Sequence, residues 1–318
     1  MNFKVPILFQ IFNRLDTSLK VIDEIKKIKP LNLYIVQDGA RKDRISEAID
    51  CLNVRSKILG QIDWECNLVT RFRDENMGPG AGTVDSLKWF FSQVEYGIVL
   101  EHDCLPHPDF FEYCAILLEK YNNENRVMLI NGSNYQNGKT FGKGSYYFGV
   151  SGQIWGWAAW GRTFINYEYD IDKYSQVTIL KDIKSIFKTQ LEQKYWQRIF
   201  YYTKNKKVDT WDYQLLFTIW HQNGLIVIPN VNLISNIGFG VQSIHCQNEG
   251  SSLDNAKTFP ILPLRHVSII ERDYRSDKNY LNNYLVPSLS TMLLFKKKIR
   301  KYMPKFIHNS YQYIKKSF

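Results

Sequence analysis

The first hundred residues alternate between short apolar runs and stretches with helical periodicity. The apolar runs cover residues 5–12, 33–36, 66–72 and 97–100. The stretches between them are predicted to be helices, the first opened by a capping Asp16, the second over residues 43–59 and the third ending at Phe91. Short strands that alternate with helices predict an α/β fold with a mostly parallel central sheet and helices on both faces.

Polar residues follow three of these predicted strands. Asn13 and Arg14 follow the first, Asp38 and Gly39 the second, and residues 101–103 (Glu-His-Asp) the fourth. Ligands of open α/β sheets bind beyond the carboxyl ends of the strands. We therefore expect these clusters to meet at one edge of the sheet. Further along, a helix is predicted near Asp212 and a strand over residues 225–228.

Cysteine usage and hydropathy favour a cytoplasmic protein. The five cysteines are scattered and include no Cys-x-x-Cys pair, which argues against a disulfide framework and a structural zinc site. No apolar run reaches the roughly 18 residues of a membrane-spanning helix. The N-terminus is interpreted as the first strand and not as a signal peptide.

The net charge of +10 is concentrated at the C-terminus. Residues 296–318 contain eight Lys or Arg and no acidic residue, so the rest of the chain is close to neutral. A nucleic-acid-binding protein is expected to spread its basic residues over a folded face, so nucleic acid is not an expected partner. Residues 1–286 are predicted to form one domain. Residues 287–318 are predicted to form a basic amphipathic helical tail that attaches the protein to the inner face of the cell membrane. A solubilising tail, or a helix packed on the domain, is the alternative.

The segment Glu101-His102-Asp103 is the most informative for chemistry. Two carboxylates separated by one residue at the end of a buried strand provide oxygen ligands for Mg²⁺ or Mn²⁺. Such an ion neutralises the charge that develops on a diphosphate leaving group. The alternative is an ordinary strand end that turns polar where it meets solvent.

Residues 97–113 resemble the metal-site segment of N-acetylglucosaminyltransferase I and of bacterial GT-A enzymes that build capsule and O-antigen, some of them labelled hemolytic proteins. In these families an apolar strand ends in acidic residues and is followed by a helix that starts Asp-Phe-Phe-x-Tyr. The resemblance covers roughly residues 3–250. It implies a GT-A (Rossmann-like) fold in which Asp103 binds the metal and Glu101 and His102 lie at the nucleotide sugar. The family has Asp where this chain has His102, so both Mn²⁺ and Mg²⁺ remain candidates.

The resemblance also places nucleotide-sugar ligands upstream, in a nucleotide-sugar half of about residues 1–105. It puts Arg14 near the nucleotide and Asp38 on the uracil base, where a carboxylate accepts the ring N–H. Gly78 and Gly82 let the backbone approach ribose or diphosphate at a helix N-terminus. The residues alone also allow an exposed Arg14 and a turn-forming Asp38-Gly39 pair. The glycines form neither a Walker motif nor a dinucleotide fingerprint.

Residues 209–213 (Asp-Thr-Trp-Asp-Tyr) resemble the segment that carries the catalytic base in N-acetylglucosaminyltransferase I, in the acceptor half of about residues 106–286. The matching residue is Asp212. An inverting transferase needs a carboxylate that takes the proton of the acceptor hydroxyl. Asp209 is the competing candidate, and capping of a helix is the alternative role for Asp212.

Two further segments resemble the bacterial relatives and the family's C-terminal loop. In the first, Trp155 and Trp157 are predicted to form a platform for a sugar, with Gly156 allowing close approach of the chain. The alternative is that the tryptophans pack in the core. In the second, His245 is a candidate second metal ligand, with a structural histidine as the alternative.

Together these features predict an inverting, metal-dependent glycosyltransferase that uses a nucleotide-diphosphate sugar, with a UDP-sugar as the first candidate. The predicted acceptor is a hydroxyl of a glycan or lipid-linked glycan, in bacterial surface polysaccharide synthesis. Two alternatives remain open. A sugar-phosphate nucleotidyltransferase shares the parallel sheet and the metal, but normally carries a Gly-rich loop directly after the first strand. A non-catalytic glycan-binding module would keep the aromatic residues without the chemistry.

Overall fold

The computed structural model describes residues 2–239 and 255–285. The strands are β1 (Ile7–Ile11), β2 (Asn32–Gln37), β3 (Asn67–Phe72), β4 (Tyr96–Glu101), β5 (Cys104–Pro106), β6 (Val127–Asn131), β7 (Tyr146–Gly149), β8 (Trp157–Trp160), β9 (Leu225–Pro229) and β10 (Ile234–Asn236). The helices are α1 (Leu15–Ile28), α2 (Ile45–Leu59), α3 (Pro79–Gln93), α4 (Asp109–Lys120), α5 (Arg162–Ile165), α6 (Gln176–Ile186), α7 (Gln190–Lys204), α8 (Asp212–His221) and α9 (Tyr274–Tyr280). A 3₁₀ turn (Ile171–Lys173) precedes α6, and a π-helical turn (Leu281–Leu285) follows α9.

Eight strands form the central sheet in the order β3-β2-β1-β4-β8-β6-β9-β7. β1 pairs in parallel with both β2 and β4, and β2 pairs in parallel with β3. The chain moves outward from β1 to β3 and then returns to the other side of β1 at β4. Right-handed crossovers therefore place α1 and α2 on one face and α3 on the other. The predicted Rossmann-like α/β fold with a mostly parallel sheet is confirmed.

The second half adds two strands whose direction the sequence did not predict. β8 runs antiparallel between β4 and β6, and β7 runs antiparallel to β9 at the edge. Six of the eight strands still share one direction. The prediction that Asp16 caps α1 is wrong: the N-cap is Arg14, and Asp16 lies in the first turn, where its charge favours the positive end of the helix.

A small two-stranded sheet joins the chain just after β4 to the loop before residue 240. β5 pairs antiparallel with β10, so that Cys104 lies opposite Asn236. The N–H of Ile237 donates to the carbonyl of Asp103 at 2.9 Å. This pairing is what brings residues 237–239 beside the strand end at Glu101.

The core is rich in aromatic side chains packed between sheet and helices. Trp157 of β8 lies against Phe91 of α3, Phe164 of α5 and Trp211, with ring centroids 5.9 to 6.3 Å apart. All four residues of β8 are buried because the strand lies inside the sheet. No helix of the described part of the chain is long and apolar enough to cross a membrane.

The chain divides into a compact unit of residues 1–277 and a second unit from Lys278 to Phe318. Of the second unit the structure describes residues 278–285. The predicted tail, residues 287–318, and the predicted metal ligand His245 lie outside the described residues. The division at residue 286 and the tail helix therefore remain predictions.

Candidate functional site

The ends of β4 and β5 bring together two carboxylates and a thiol. Ligand atoms of Glu101, Asp103 and Cys104 all lie within 4.8 Å of one another. Cys104 is fully buried, and burial raises the pKa of its thiol well above the usual value. The thiol therefore stays protonated and donates a hydrogen bond to Oδ1 of Asp103, at 3.6 Å. The two carboxylates are the oxygen ligands that the site offers to a cation.

A third carboxylate, from Asp212, acts on the same site from α8. Burial, together with the charges of Asp103 and Asp212, raises the pKa of the Glu101 carboxyl to about 8. Asp212 is the first residue of α8 and accepts a hydrogen bond from the hydroxyl of Thr210. Its charge also adds to burial in raising the pKa of Tyr195, to about 12. The sheet edge is thus strongly electronegative.

A hard divalent cation fits this donor set. Mg²⁺ and Mn²⁺ take carboxylate oxygens and commonly complete their coordination with substrate phosphates and water. Glu101 and Asp103 supply such oxygens, and a bound cation would relieve the electrostatic repulsion between their carboxylates. Among the described residues, Glu101, Asp103 and Cys104 form the group of acidic, His and Cys side chains whose ligand atoms lie close enough together to hold a metal ion.

Arg14 joins the site from the start of α1. Its NH1 donates to the carbonyl of Gly238 at 2.8 Å, and its side chain is 14% exposed. A Cβ on Gly238 would lie 2.0 Å from Oδ2 of Asp103, so only glycine leaves room for this carboxylate. Burial lowers the pKa of His102; the charge of Asp103 opposes this shift and the charge of Arg14 adds to it, and the net lowering keeps the imidazole neutral at pH 7. Three of the predicted residues, Arg14, His102 and Asp103, therefore meet.

Asp38 lies at the end of β2 and accepts hydrogen bonds from the loop before α3. Its carboxylate accepts from the N–H groups of Gly39, Met77 and Gly78 at 3.0 to 3.1 Å. Burial raises the pKa of Asp38, and these hydrogen bonds together with Arg73 oppose that rise. The structure thus places Asp38 as an anchor of residues 77–78. Its predicted contact with uracil stays a prediction.

The predicted glycines serve the backbone of that loop. Gly78 has a φ of +82°, which favours glycine, and it immediately precedes α3. Gly82 lies inside α3, where a Cβ would come within 3.2 Å of Oδ2 of Asp38. The two glycines therefore let the start of α3 approach the end of β2 closely.

Asp209 and Asp212, the two candidates for the base, lie at different places. Oδ1 of Asp209 accepts from the hydroxyl of Tyr169 at 3.3 Å, and both groups lie against Gly80 at the start of α3. The charge of Asp212 instead helps to raise the pKa of the Glu101 carboxyl, at the end of β4. Asp212 is therefore the candidate that interacts electrostatically with this strand end.

Of the two tryptophans predicted to form a sugar platform, only Trp155 has an accessible side chain, and its role stays a prediction. Trp157 is fully buried in the core, so the prediction that it stacks on a sugar is wrong. Gly156 has a φ of +58°, and its Cα faces the side chain of Ile234, so it serves packing and not the approach of a substrate. Trp155 is partly exposed and lies edge-on to Phe239, at 5.7 Å, next to Gly238.

Comparisons with known proteins name no family. Neither a protein-family model nor a curated protein matches this chain. Structural neighbours include a mannosyltransferase, PcManGT from Pyrobaculum calidifontis, in complex with GDP-Man and Mn²⁺ (TM-score 0.38, 9% identity, 70% of each chain covered). They also include mouse xyloside xylosyltransferase 1 (TM-score 0.36, 11% identity, 70% of this chain and 83% of the other).

Nucleotidyltransferases appear as well, such as an apo UDP-glucose pyrophosphorylase (TM-score 0.38, 11% identity, 73% of this chain and 93% of the other). The neighbours are thus glycosyltransferases and sugar nucleotidyltransferases of low sequence identity. With TM-scores below 0.5 these likenesses identify no family, and the geometry of the site carries the functional argument.

Sequence reasoning missed three contributors to the site. Gly238 carries no local signal for a role in the site, because its contact with Asp103 depends on the pairing of β5 with β10. Asn76 and Arg73 hold the loop before α3, through hydrogen bonds to the carbonyls of Gly39 and Gly82. An arginine at the end of a strand carries no local signal for such a role.

Proposed function

We propose that this protein is a metal-dependent glycosyltransferase of the GT-A type that uses a nucleotide-diphosphate sugar as donor. The observation that carries the proposal is the pair of carboxylates, Glu101 and Asp103, at the carboxyl end of β4, where the charge of Asp212 also acts on Glu101. Arg14 reaches Gly238, which lies against Asp103. The carboxylates can hold a metal ion, and the guanidinium of Arg14 can bind phosphate. These groups lie together at one edge of the sheet, an arrangement that suits a nucleotide diphosphate. A UDP-linked sugar is the first donor to test.

Asp103 would hold Mn²⁺ or Mg²⁺, with Glu101 as its neighbour in the site. When bound, the ion supplies positive charge against the diphosphate leaving group. Arg14, largely buried and in contact with the carbonyl of Gly238, adds a second positive charge beside the donor. His102 remains neutral and adds no charge of its own.

Asp212 takes the proton of the acceptor hydroxyl. The hydroxyl oxygen forms its bond to the anomeric carbon while the bond from that carbon to the diphosphate breaks, and the electron pair leaves with the diphosphate. Attack from the face opposite the leaving group inverts the anomeric configuration. Trp155 offers a partly exposed indole face near Gly238, on which a sugar ring can stack.

The acceptor that we propose is a hydroxyl of a glycan or lipid-linked glycan in the synthesis of bacterial surface polysaccharide. A sugar-phosphate nucleotidyltransferase is disfavoured by the first turn of the fold. β1 ends at Ile11 and α1 begins at Leu15, so three residues connect them and no Gly-rich loop follows the first strand. A glycan-binding module without chemistry would have no need of the three carboxylates.

Calorimetric titration with UDP, with and without Mn²⁺, tests the proposal. We expect UDP to bind the wild-type protein with Mn²⁺ and to bind much more weakly without it. In Asp103→Ala, UDP binding should no longer depend on Mn²⁺ and turnover should be lost. The midpoint of thermal unfolding should stay the same, because a partly exposed carboxylate contributes little packing. Tight binding of a nucleoside triphosphate with no binding of UDP would favour the nucleotidyltransferase. Hydrolysis of nucleotide sugars from a panel then identifies the donor.

A further inference from the structure

The side chain of Gln10, near the end of β1, carries a buried N–H group without an acceptor. Its amide nitrogen, Nε2, is shielded from solvent and has no hydrogen-bond partner among the described residues. A buried N–H group in this state costs free energy, and folded proteins leave few of them unsatisfied. A ligand that offers an acceptor oxygen to this amide would remove that cost.

The strand register places this amide next to the carboxylate pair. Gln10 is paired with Glu101 of β4 in the parallel ladder, and both residues lie at the carboxyl end of their strand. Neighbouring strands are about 4.8 Å apart, and the side chains of paired residues lie on the same face of a sheet. The side chain of Gln10 is therefore a neighbour of the Glu101 side chain, at the edge where the candidate metal site lies.

The face that these two side chains share is the one that α3 covers. Leu8, two residues before Gln10, is paired with Tyr34 of β2. The ring of Tyr34 lies edge-on to that of Phe90 in α3, with the centroids 5.1 Å apart. Because alternate residues of a strand share a face, Gln10 lies on the α3 side as well. A ligand-binding edge and a covering helix together account for a polar amide that is buried there.

A second buried N–H group of the same segment also lacks an acceptor. Nε of Arg14 has no hydrogen-bond partner in the part of the chain that the structure describes, whereas Nη1 donates to the carbonyl of Gly238. Gly238 in turn lies against Asp103. One unsatisfied N–H group is thus next to Glu101, and the other belongs to a side chain that reaches the surroundings of Asp103.

We infer that Gln10 is a further substrate-binding residue: its amide N–H donates a hydrogen bond to a phosphate oxygen of the nucleotide-diphosphate sugar. The inference rests on the proposed function, since it concerns the substrate of that reaction. An N–H group binds an oxygen and not a cation, so its partner is the diphosphate and not the metal ion. A metal ion held by Glu101 and Asp103 brings phosphate oxygens to this edge of the sheet.

The experiment compares the full-length wild type with Gln10→Met. Methionine is unbranched like glutamine and has no N–H group in its side chain. By calorimetric titration in the presence of Mn²⁺, we expect the affinity for UDP to fall about tenfold, the scale of a lost hydrogen bond to a charged oxygen. The midpoint of thermal unfolding without ligand should equal or exceed that of the wild type, because the change removes a buried N–H group that has no acceptor. The affinity for Mn²⁺ without nucleotide should stay the same.

Tyr113→Phe is the matched control. The hydroxyl of Tyr113 in α4 is also buried and has no hydrogen-bond partner within residues 2–239 and 255–285. Tyr113 interacts electrostatically with Tyr146 and Tyr147 of β7, the strand at the far edge of the sheet. Removal of this hydroxyl should likewise not lower the midpoint of thermal unfolding, and it should leave the affinity for UDP unchanged.

Wild-type affinity for UDP in Gln10→Met would overturn the inference. A lower midpoint of thermal unfolding in Gln10→Met would overturn it too, because it would show that the amide is already satisfied in the folded protein. A loss of Mn²⁺ affinity without nucleotide would also overturn it, and would make Gln10 a support of Glu101 instead. Absence of UDP binding in the wild type, by contrast, overturns the proposed function itself.

Discussion

At the scale of single residues, Gly238 and Asp103 share a space that admits only one side chain. Oδ2 of Asp103 lies 2.0 Å from the position that a Cβ on Gly238 would take. The carbonyl of the same glycine accepts the hydrogen bond from Arg14. One residue without a side chain thus determines where the proposed metal ligand and the proposed phosphate ligand lie.

Gly238→Ala should therefore disturb the proposed metal site. We expect a loss of about 10- to 100-fold in Mn²⁺ affinity or turnover, the range seen when groups that support metal ligands are changed. Manganese titration with a matched activity assay measures it. Gly60→Ala is the control, since a Cβ there meets only ordinary contacts at 3.4 Å or more. Unchanged Mn²⁺ affinity in Gly238→Ala would show that Asp103 does not hold the ion.

Asp212→Asn should lower the rate by at least about 100-fold, the scale of a lost general base, with UDP affinity close to that of the wild type. Asp209→Asn is the matched control, because Asp209 lies against the start of α3. The product anomer, read by NMR, should be inverted relative to the donor. A retained configuration would exclude the in-line base mechanism, and loss of activity in Asp209→Asn alone would reassign the base.

At the scale of elements, the small β5–β10 sheet connects packing to the site. Gly156, which precedes β8, faces Ile234 of β10, where a Cβ would lie 2.4 Å from Cδ1 of that isoleucine. β10 in turn places residues 237–239 beside Asp103. The close contact between Gly156 and Ile234 therefore supports residues 237–239, which lie beside the proposed metal site.

Gly156→Ala should destabilise the fold by about 1–3 kcal/mol, from the overpacked contact and the strained φ together. Urea unfolding gives the free energy of the single variants Gly156→Ala and Ile234→Ala and of the double variant. Ile234→Ala removes the side-chain atoms that a Cβ on residue 156 would clash with. The losses in unfolding free energy of the two single variants should therefore sum to more than the loss in the double variant. Strict additivity would show that the two residues do not compete for space.

At the scale of the whole molecule, the excess charge resides in residues 296–318, outside the described residues. The body is close to neutral, whereas this segment carries eight basic residues and no acidic one. Apolar residues at 292, 295, 299, 302 or 303, and 306 recur every three or four positions, and the basic residues lie mostly between them. That pattern is typical of a helix that lies on an anionic membrane surface.

Sedimentation with anionic liposomes tests this prediction. The full-length protein should pellet with the liposomes at low salt, and a form truncated after Val286 should stay in the supernatant. Each basic residue near such a surface contributes about 1 kcal/mol, so binding should weaken as salt is added. Equal pelleting of the two forms would remove the membrane role and leave the catalytic proposal intact. A solubilising tail is the alternative that this outcome supports.

The sequence by itself determined the elements from β1 to β4 and the edge at which the candidate site lies. Apolar runs and helical periodicity are local properties, and they predict short strands and helices that match the observed ones within a few residues. Parallel connections then bring the carboxyl ends of neighbouring strands to one edge. Arg14, Asp38 and Asp103 could therefore be placed at that edge without coordinates.

Only the tertiary structure decided the rest, because it depends on contacts between residues far apart in the chain. Gly238 meets Asp103 through the pairing of β5 with β10, and the loop that Asp38 holds begins nearly 40 residues after it. Trp155 and Trp157 look alike in sequence, yet Trp157 is buried because β8 inserts between β4 and β6. A local pattern does not encode which strand becomes central, and so it cannot tell a core tryptophan from an exposed one.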